Sequence, residues 1–302
     1  MPLLSQLAPK RQYWTTLHDY LQTQAYRLRL FASGDQAVII AKVEDGPKDT
    51  GAYDLEPVPQ HFLPQPAGIQ LYRSQDLQVL DREKDWRRGP HKVITKDGDT
   101  FFFLGCQSGS RNAKTQQVSN ISLNAVRAQL KLMETHAGTN VPEGIPQVYG
   151  IVADSPILDV SQEHNRVDGG SEQRIAGILL TWIPRGKSLV QMVPVLANLD
   201  ETEAKLRIRA WIERVGVALK YLHEKGVYFG GREDWRYLNQ YTVLVDIHGQ
   251  PWLDVSHVSW MADLSLEDAK AVDTADGLAL ERLFEDWLPE EVAKVRGTPV
   301  VC

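Results

Sequence analysis

Four side chains that could take part in acid–base chemistry lie close together in the sequence. Asp234 and Tyr237 stand in the polar loop GGREDWRYLNQ, and Asp254 and His257 follow the apolar run PWL. A carboxylate or an imidazole can move a proton at a bound molecule, and a phenol can hydrogen-bond a ligand without titrating near neutral pH. Asp254 could also bind a metal ion or simply cap a turn at a strand end, and both interpretations stay open. These residues form the candidate catalytic group.

A long amphipathic helix is predicted immediately before the polar loop. Its apolar residues recur at steps of three and four: Leu206, Trp211, Ile212, Val215, Leu219 and Leu222. Asp200 and Glu203 form a capping-box pattern at its start, and Gly226 is placed to end it in a left-handed turn. We therefore expect a core-packed helix from Asp200 to Lys225.

A tight β-hairpin is predicted after the loop. The runs TVLVD and PWLDV are short and rich in apolar or β-branched residues, and the turn sequence IHGQ joins them. Asp254 then stands at the end of the second strand.

The order of helix, polar loop, hairpin and terminal Asp resembles the catalytic segment of the protein-kinase-like superfamily. The likeness is carried by YLHEKGVY, VLVD and LDVS, and further along the chain by FFFLG, IPQVYGIV and LLTWIPRGKSL. These strings are most similar to the divergent, pseudokinase or aminoglycoside-phosphotransferase-like proteins common in fungi. The resemblance covers roughly Leu77 to Leu288 and implies an α+β, two-lobed protein-kinase-like fold. It implies a β-rich N-lobe and a shortened, mainly helical C-lobe.

The resemblance divides the chain into three parts. Residues 1–76 are predicted to be an N-terminal extension packed on the N-lobe, because too few apolar residues remain for a separate core. Residues 77–183 form the N-lobe and residues 184–302 the C-lobe. We expect strands at LQVL, HKVIT, TFFFLG, GIPQVYGIVAD and AGILLT, a helix beginning near Ile121, and a loop from Glu44 to Pro66.

The catalytic loop admits two alignments with the family motif. A working kinase loop carries an Asp base and, five residues later, an Asn metal ligand. An ungapped count back from VLVD puts Tyr237 and Thr242 at these positions, and this count is favoured. The alternative keeps Asp234 and Asn239 at the same spacing but inserts three residues before the strand.

The phosphate-binding parts of the family pattern are altered. The third-strand Lys and its helical Glu partner are replaced by Leu104 and Gln129, and the segment DREKDWRRGP holds a single glycine, Gly89. Without positive charge on the phosphates, phosphoryl transfer loses its main electrostatic support. We therefore predict that ATP and Mg²⁺ binding is weak or absent and that no cofactor is needed.

The remaining cleft residues are predicted from their positions in the same alignment. Thr181, Trp182 and Ile183 would form the hinge. The cleft itself would be lined by Leu104, Gln129, Trp235 and Thr242. The aromatic residues there could be ordinary packing, or they could form an apolar pocket for a molecule other than a nucleotide.

Composition excludes several classes of function. The chain has 302 residues and a net charge of −6 with both signs interspersed, so no nucleic-acid partner is expected. It contains no apolar run as long as the about 20 residues that a membrane-spanning helix needs. Its two cysteines, Cys106 and Cys302, make neither a disulfide framework nor a metal site. We therefore expect a cytoplasmic protein without a membrane association.

Three functions remain open from the sequence. The first is a pseudokinase-like protein whose interlobe cleft binds a small molecule or a protein partner for regulation. The second is an enzyme that uses the cleft on a small organic, natural-product-like substrate, for example in a cyclisation or an isomerisation. The third is a divergent ATP-dependent phosphotransferase that uses Asp234 and Asn239.

Overall fold

The computed structural model describes residues 15–21, 27–29, 42–44, 58–60, 63–64, 66–80, 91–106, 121–135, 141–154, 174–184, 186–229, 238–260 and 266–297, which form a mixed α+β fold. The strands are β1 Arg27–Arg29, β2 Lys42–Glu44, β3 Val58–Pro59, β4 Gln70–Arg73, β5 Gln78–Val79, β6 Lys92–Ile94, β7 Thr100–Gly105, β8 Val148–Asp154, β9 Arg174–Thr181, β10 Lys187–Ser188, β11 Val227–Tyr228, β12 Val243–Val245, β13 Pro251–Leu253 and β14 Ser259–Trp260. The helices are α1 Leu17–Leu21, α2 Ile121–Thr135, α3 Leu189–Ala197, α4 Glu201–Glu224, α5 Leu266–Glu281 and α6 Leu288–Gly297. Short 3-10 turns occupy Ser74–Asp76 and Val255–His257, and a π-helical stretch, Arg282–Trp287, joins α5 to α6.

The principal sheet has the strand order β4-β8-β9-β7-β6-β5, with β3 paired to the first residues of β9. β4 runs parallel to β8, and the other neighbours are antiparallel. Leu104 of β7 lies opposite Ile178 of β9, and Phe102 lies opposite Leu180. Because side chains alternate along a strand, these four residues share one face of the sheet. That face is the inner face.

The outer face of the sheet is covered by α1. Leu17 is fully buried in a cluster that includes Phe101 and Phe103, and its backbone N–H donates to the carbonyl of Leu77 at 2.9 Å. Asp154, at the end of β8, adds a polar link because its carboxylate accepts hydrogen bonds from His18, at 2.8 Å, and from Ser74. Leu17, His18 and Ser74, which precede residue 77, thus contact the sheet through both apolar and polar groups.

The inner face continues into the main core. Leu104 and Ile178 belong to the same apolar cluster as residues of α2, α3 and α4 and of the hairpin β12–β13. In the described part of the chain, no helix has the length and apolar character needed to cross a membrane.

Helix α4 forms as predicted at both ends. The Asp200 carboxylate accepts the Glu203 backbone N–H at 2.9 Å, and Gly226 has the left-handed φ of 73° that ends the helix. One member of the predicted apolar stripe is wrong, because Leu206 is 63% exposed. It lies five residues before Trp211, about 140° around the helix, and Ala204 takes the buried position instead.

The predicted hairpin is also present. Strands β12 and β13 pair with Val243 opposite Leu253, and Gly249 takes the positive φ of 77° that the turn requires. The Trp211 indole N–H donates to the Gly249 carbonyl at 2.8 Å, which fixes the hairpin turn on α4.

Two strands of the principal sheet lie where none was predicted. β3 falls within the segment Glu44–Pro66, predicted as a loop, and β4 lies between that segment and the predicted strand LQVL. Both are short edge segments, and β4 has little buried surface, so neither shows the alternating pattern that marks a half-buried strand. Their pairing partners, β9 and β8, lie far away in the sequence.

Candidate functional site

Three predicted site residues lie on elements that meet. Helix α2, which carries Gln129, packs against β7, which carries Leu104. It also packs against the turn Val255–His257 and against β14, which follow Asp254. We call this junction of β7, α2 and the turn after Asp254 the seam. Three predicted residues, Asp234, Trp235 and Tyr237, lie outside the described residues, and so does the side chain of His257.

Leu104 forms the apolar wall of the seam. It is 7% exposed and belongs to the same core cluster as Ala125, Ala128 and Val255. At the end of β7, Cys106 adds no charge to this wall, because burial raises the pKa of its thiol to about 12 and Arg127 only partly offsets the shift. Leu104 is therefore an integral part of the core.

Gln129 is the polar group of the seam. Its side chain is 1% exposed, and neither its carboxamide oxygen nor its nitrogen has a hydrogen-bond partner within the described residues. Ala125, Ala128 and Leu132 of the same helix are buried around it, so Gln129 stands near the middle of the buried face of α2. Burying such a group without a partner costs about 1–3 kcal/mol.

The Asp254 carboxylate accepts a hydrogen bond from the backbone just after it. Its carboxylate oxygen Oδ1 accepts the Ser256 N–H at 2.9 Å, so the residue caps the 3-10 turn Val255–His257. Its own N–H donates to the Thr242 carbonyl at 2.7 Å. The sequence left both metal binding and turn capping open for Asp254, and the structure contains the hydrogen bond expected for turn capping. The described residues contain no group of three or more His, Cys, Asp or Glu side chains arranged around a metal position.

Thr242 and Asn239 build the turn that leads into the hairpin. The Thr242 hydroxyl accepts the Asn239 N–H at 2.8 Å and donates to the Asn239 carbonyl at 3.0 Å. The Asn239 side-chain oxygen accepts the Tyr241 N–H at 2.8 Å. Both candidate positions for a metal-binding Asn thus hold side chains that stabilise a local turn.

The predicted hinge residues lie at the other end of the inner face. Thr181 exchanges two hydrogen bonds of 2.9 Å with the backbone of Gln147. Trp182 is half-buried, and the ammonium of Lys92 lies 4.8 Å from the centre of its ring. Ile183 is also half-buried and accepts the Gly186 N–H at 3.3 Å.

Phe102 is an inner-face residue that the sequence analysis did not select. It is half-buried, two positions before Leu104 on the same face, and the His91 ring stacks on it with centroids 5.2 Å apart. The alternation in TFFFLG contains this information, because any strand that buries Leu104 places Phe102 on the same face.

A second polar network lies beside β11. The ring of His223 contacts the carboxylates of Asp273 and Asp276, the latter at 2.9 Å, and stacks on Tyr228. The fully buried Asp276 also accepts the Phe229 N–H at 3.0 Å. Burial raises the pKa of the Tyr228 phenol, and the two Asp carboxylates add to the shift. The network fixes the last described residues before the polar loop.

No protein-family profile and no curated protein matches this chain.

Proposed function

We propose that the chain is a protein-kinase-like, two-lobed protein without phosphotransfer machinery, and that the seam between its lobes binds a small organic molecule. One observation carries the proposal. Where a phosphotransferase of this type needs a Lys–Glu ion pair, the seam has a core leucine, Leu104, and an uncharged, buried Gln129.

The order of elements supports the fold assignment. Five strands of the principal sheet, β3 to β7, precede helix α2, and the last three of them, β5 to β7, are the ones that the resemblance implies. Two strands, β8 and β9, follow the helix before the segment Thr181–Ile183. Helices α3 and α4, the short strand β11, the hairpin β12–β13 and Asp254 then follow in the order that the resemblance implies. The principal sheet and α2 correspond to the proposed N-lobe in this assignment.

Features of the described residues support the prediction of weak Mg-ATP binding. Neutral Leu104 and Gln129 supply no charge for phosphate oxygens. Asp254 and Asn239, two possible metal ligands, each accept a backbone N–H instead. The apolar inner face with a single buried carboxamide is closer to the pattern of small-molecule sites, where few polar groups orient a ligand.

Thermal-shift measurements test the two halves of the proposal. We expect millimolar Mg-ATP to leave the melting temperature unchanged relative to Mg²⁺ alone, since a ligand at a hundredfold its Kd would stabilise by about 2.7 kcal/mol. We expect a panel of uncharged aromatic fragments to contain compounds that raise the melting temperature. Stabilisation by Mg-ATP would restore the phosphotransferase hypothesis, and a panel without any stabilising compound would contradict small-molecule binding.

A further inference from the structure

Gln129 differs from the other buried polar groups in that its whole functional group is without a partner. Within the described residues, Gln250 and Asp276 each have one buried oxygen that lacks a hydrogen bond, whereas Gln129 has both its oxygen and its nitrogen in this condition. Asp276 also uses its other oxygen to accept two hydrogen bonds. A carboxamide offers two donors and one acceptor, so Gln129 holds the larger unused capacity.

Gln129 lies on the face of α2 that forms part of the seam. Successive helical residues are about 100° apart, which places Gln129 between Ala125 and Val126 on the buried face of α2. All three residues are buried. That face packs on β7 and on the turn Val255–His257, the two elements that form the seam with α2.

We propose that the Gln129 carboxamide is the recognition group of the seam and that it takes an uncharged, planar ligand with an adjacent hydrogen-bond donor and acceptor, as in an aromatic lactam. This inference rests on the proposed small-molecule function and specifies its ligand class. A lactam satisfies the carboxamide oxygen with its N–H and the carboxamide nitrogen with its carbonyl, in one planar two-point contact.

The apolar neighbours of Gln129 favour an uncharged ligand with an aromatic body. Leu104 and Val255 are buried in the same core cluster as the apolar residues of α2, so neither supplies a counter-charge to an ionised ligand. Phe102 lies on the same sheet face as Leu104, two residues towards Trp182, and is half-buried. The His91 ring already stacks on Phe102, so Phe102 adds apolar contact area rather than a free stacking face.

The experiment compares two ligands and two variants. Quinolin-2(1H)-one carries the donor–acceptor pair, and quinoline has the same bicyclic shape without it. Binding of each to the full chain is measured by calorimetry or ligand-observed NMR. Gln129→Leu removes the polar atoms at nearly constant volume, and Gln129→Met serves the same purpose if the branched side chain disturbs the helix.

We expect the wild-type chain to bind quinolin-2(1H)-one at least about tenfold more tightly than quinoline, from two neutral hydrogen bonds. Either variant should remove this preference while raising the melting temperature of the free protein, because it deletes an unpartnered buried group. Equal affinity for the two compounds, or an unchanged preference in the variants, would overturn the inference and leave the proposed function standing. Binding of neither compound also overturns it, and the proposed function fails as well only if the wider fragment panel gives no stabilising compound.

Discussion

Asp254 and Gln129 stand on two sides of one seam, and their polar atoms are used differently. The Asp254 carboxylate caps the turn that follows it, and Thr242 and Asn239 bond to the backbone of the preceding turn. Gln129 is more deeply buried and finds no partner within the described residues. Apart from one buried oxygen of Gln250, the polar groups named on the hairpin side therefore have partners, whereas the whole Gln129 carboxamide on the helix side retains unused hydrogen-bonding capacity.

The comparison changes where function is expected. In the proposed alignment with the kinase-like pattern, Asp254 takes a metal-binding position, yet its visible contact is structural. In the same alignment Gln129 takes the position of an ion-pair partner and is a predicted cleft residue. Because a folded chain tolerates few unpartnered buried groups, an unused carboxamide indicates recognition more directly than a satisfied carboxylate does.

The largest loss of stability is expected from placing a charge at position 104 of the seam. Leu104→Lys places an ammonium in an apolar core, on the strand that packs against the helix of the uncharged Gln129, and an uncompensated buried charge of this kind costs about 3–5 kcal/mol. Urea denaturation of the variant should show the loss as a lower midpoint. The matched control is the double variant Leu104→Lys with Gln129→Glu, which should recover part of the stability if the two residues are neighbours. Full additivity of the two changes would place Gln129 away from Leu104 and break the comparison.

The next effect concerns the polar network beside β11, at the buried Asp276. Asp276→Ala leaves the Phe229 N–H and one nitrogen of His223 without an acceptor, so we expect a loss of about 2–3 kcal/mol. Asp273→Ala is the matched control because its carboxylate is 63% exposed and contacts the same ring, and surface pairs contribute less than about 1 kcal/mol. Equal losses in the two variants would contradict the central role given to Asp276.

The sequence predicts those parts of the fold that depend on local signals. The turn KDGD gives a hydrogen bond from the Thr95 N–H to the Asp99 carbonyl and a φ of 92° at Gly98, and β7 has the predicted bounds. The ends of α4 follow from its capping residues. Partners distant in sequence, such as β4 with β8 or His223 with Asp276, depend on tertiary contacts that no local pattern contains.

Site prediction divides in the same way. The alternation of β7 places Leu104 on the inner face, the register of α2 places Gln129 on the buried face of its helix, and the resemblance named both residues. Whether Asp254 caps or coordinates depends on the distance of 2.9 Å to the Ser256 N–H, which a sequence motif does not contain. The two alignments of the catalytic loop, with Tyr237 or Asp234 as the key residue, both remain predictions because residues 231–237 lie outside the described chain.

The smallest change in stability is expected at Asp254. It tests the comparison between Asp254 and Gln129 most directly. Asp254→Asn keeps the oxygen that accepts the Ser256 N–H, so its free energy of unfolding should stay within about 0.5 kcal/mol of the wild-type value. Asp254→Ala removes this acceptor and should lower the free energy of unfolding by about 1 kcal/mol, as the loss of a capping residue does. If the residue acts only as a cap, millimolar Mg²⁺ should stabilise neither variant nor wild type. A Mg²⁺-dependent rise in the wild-type melting temperature that Asp254→Asn removes would identify a metal ligand, because the carboxamide keeps the cap but lacks the negative charge that holds a divalent cation. The hairpin side would then be a functional side as well, and the contrast with Gln129 would no longer hold.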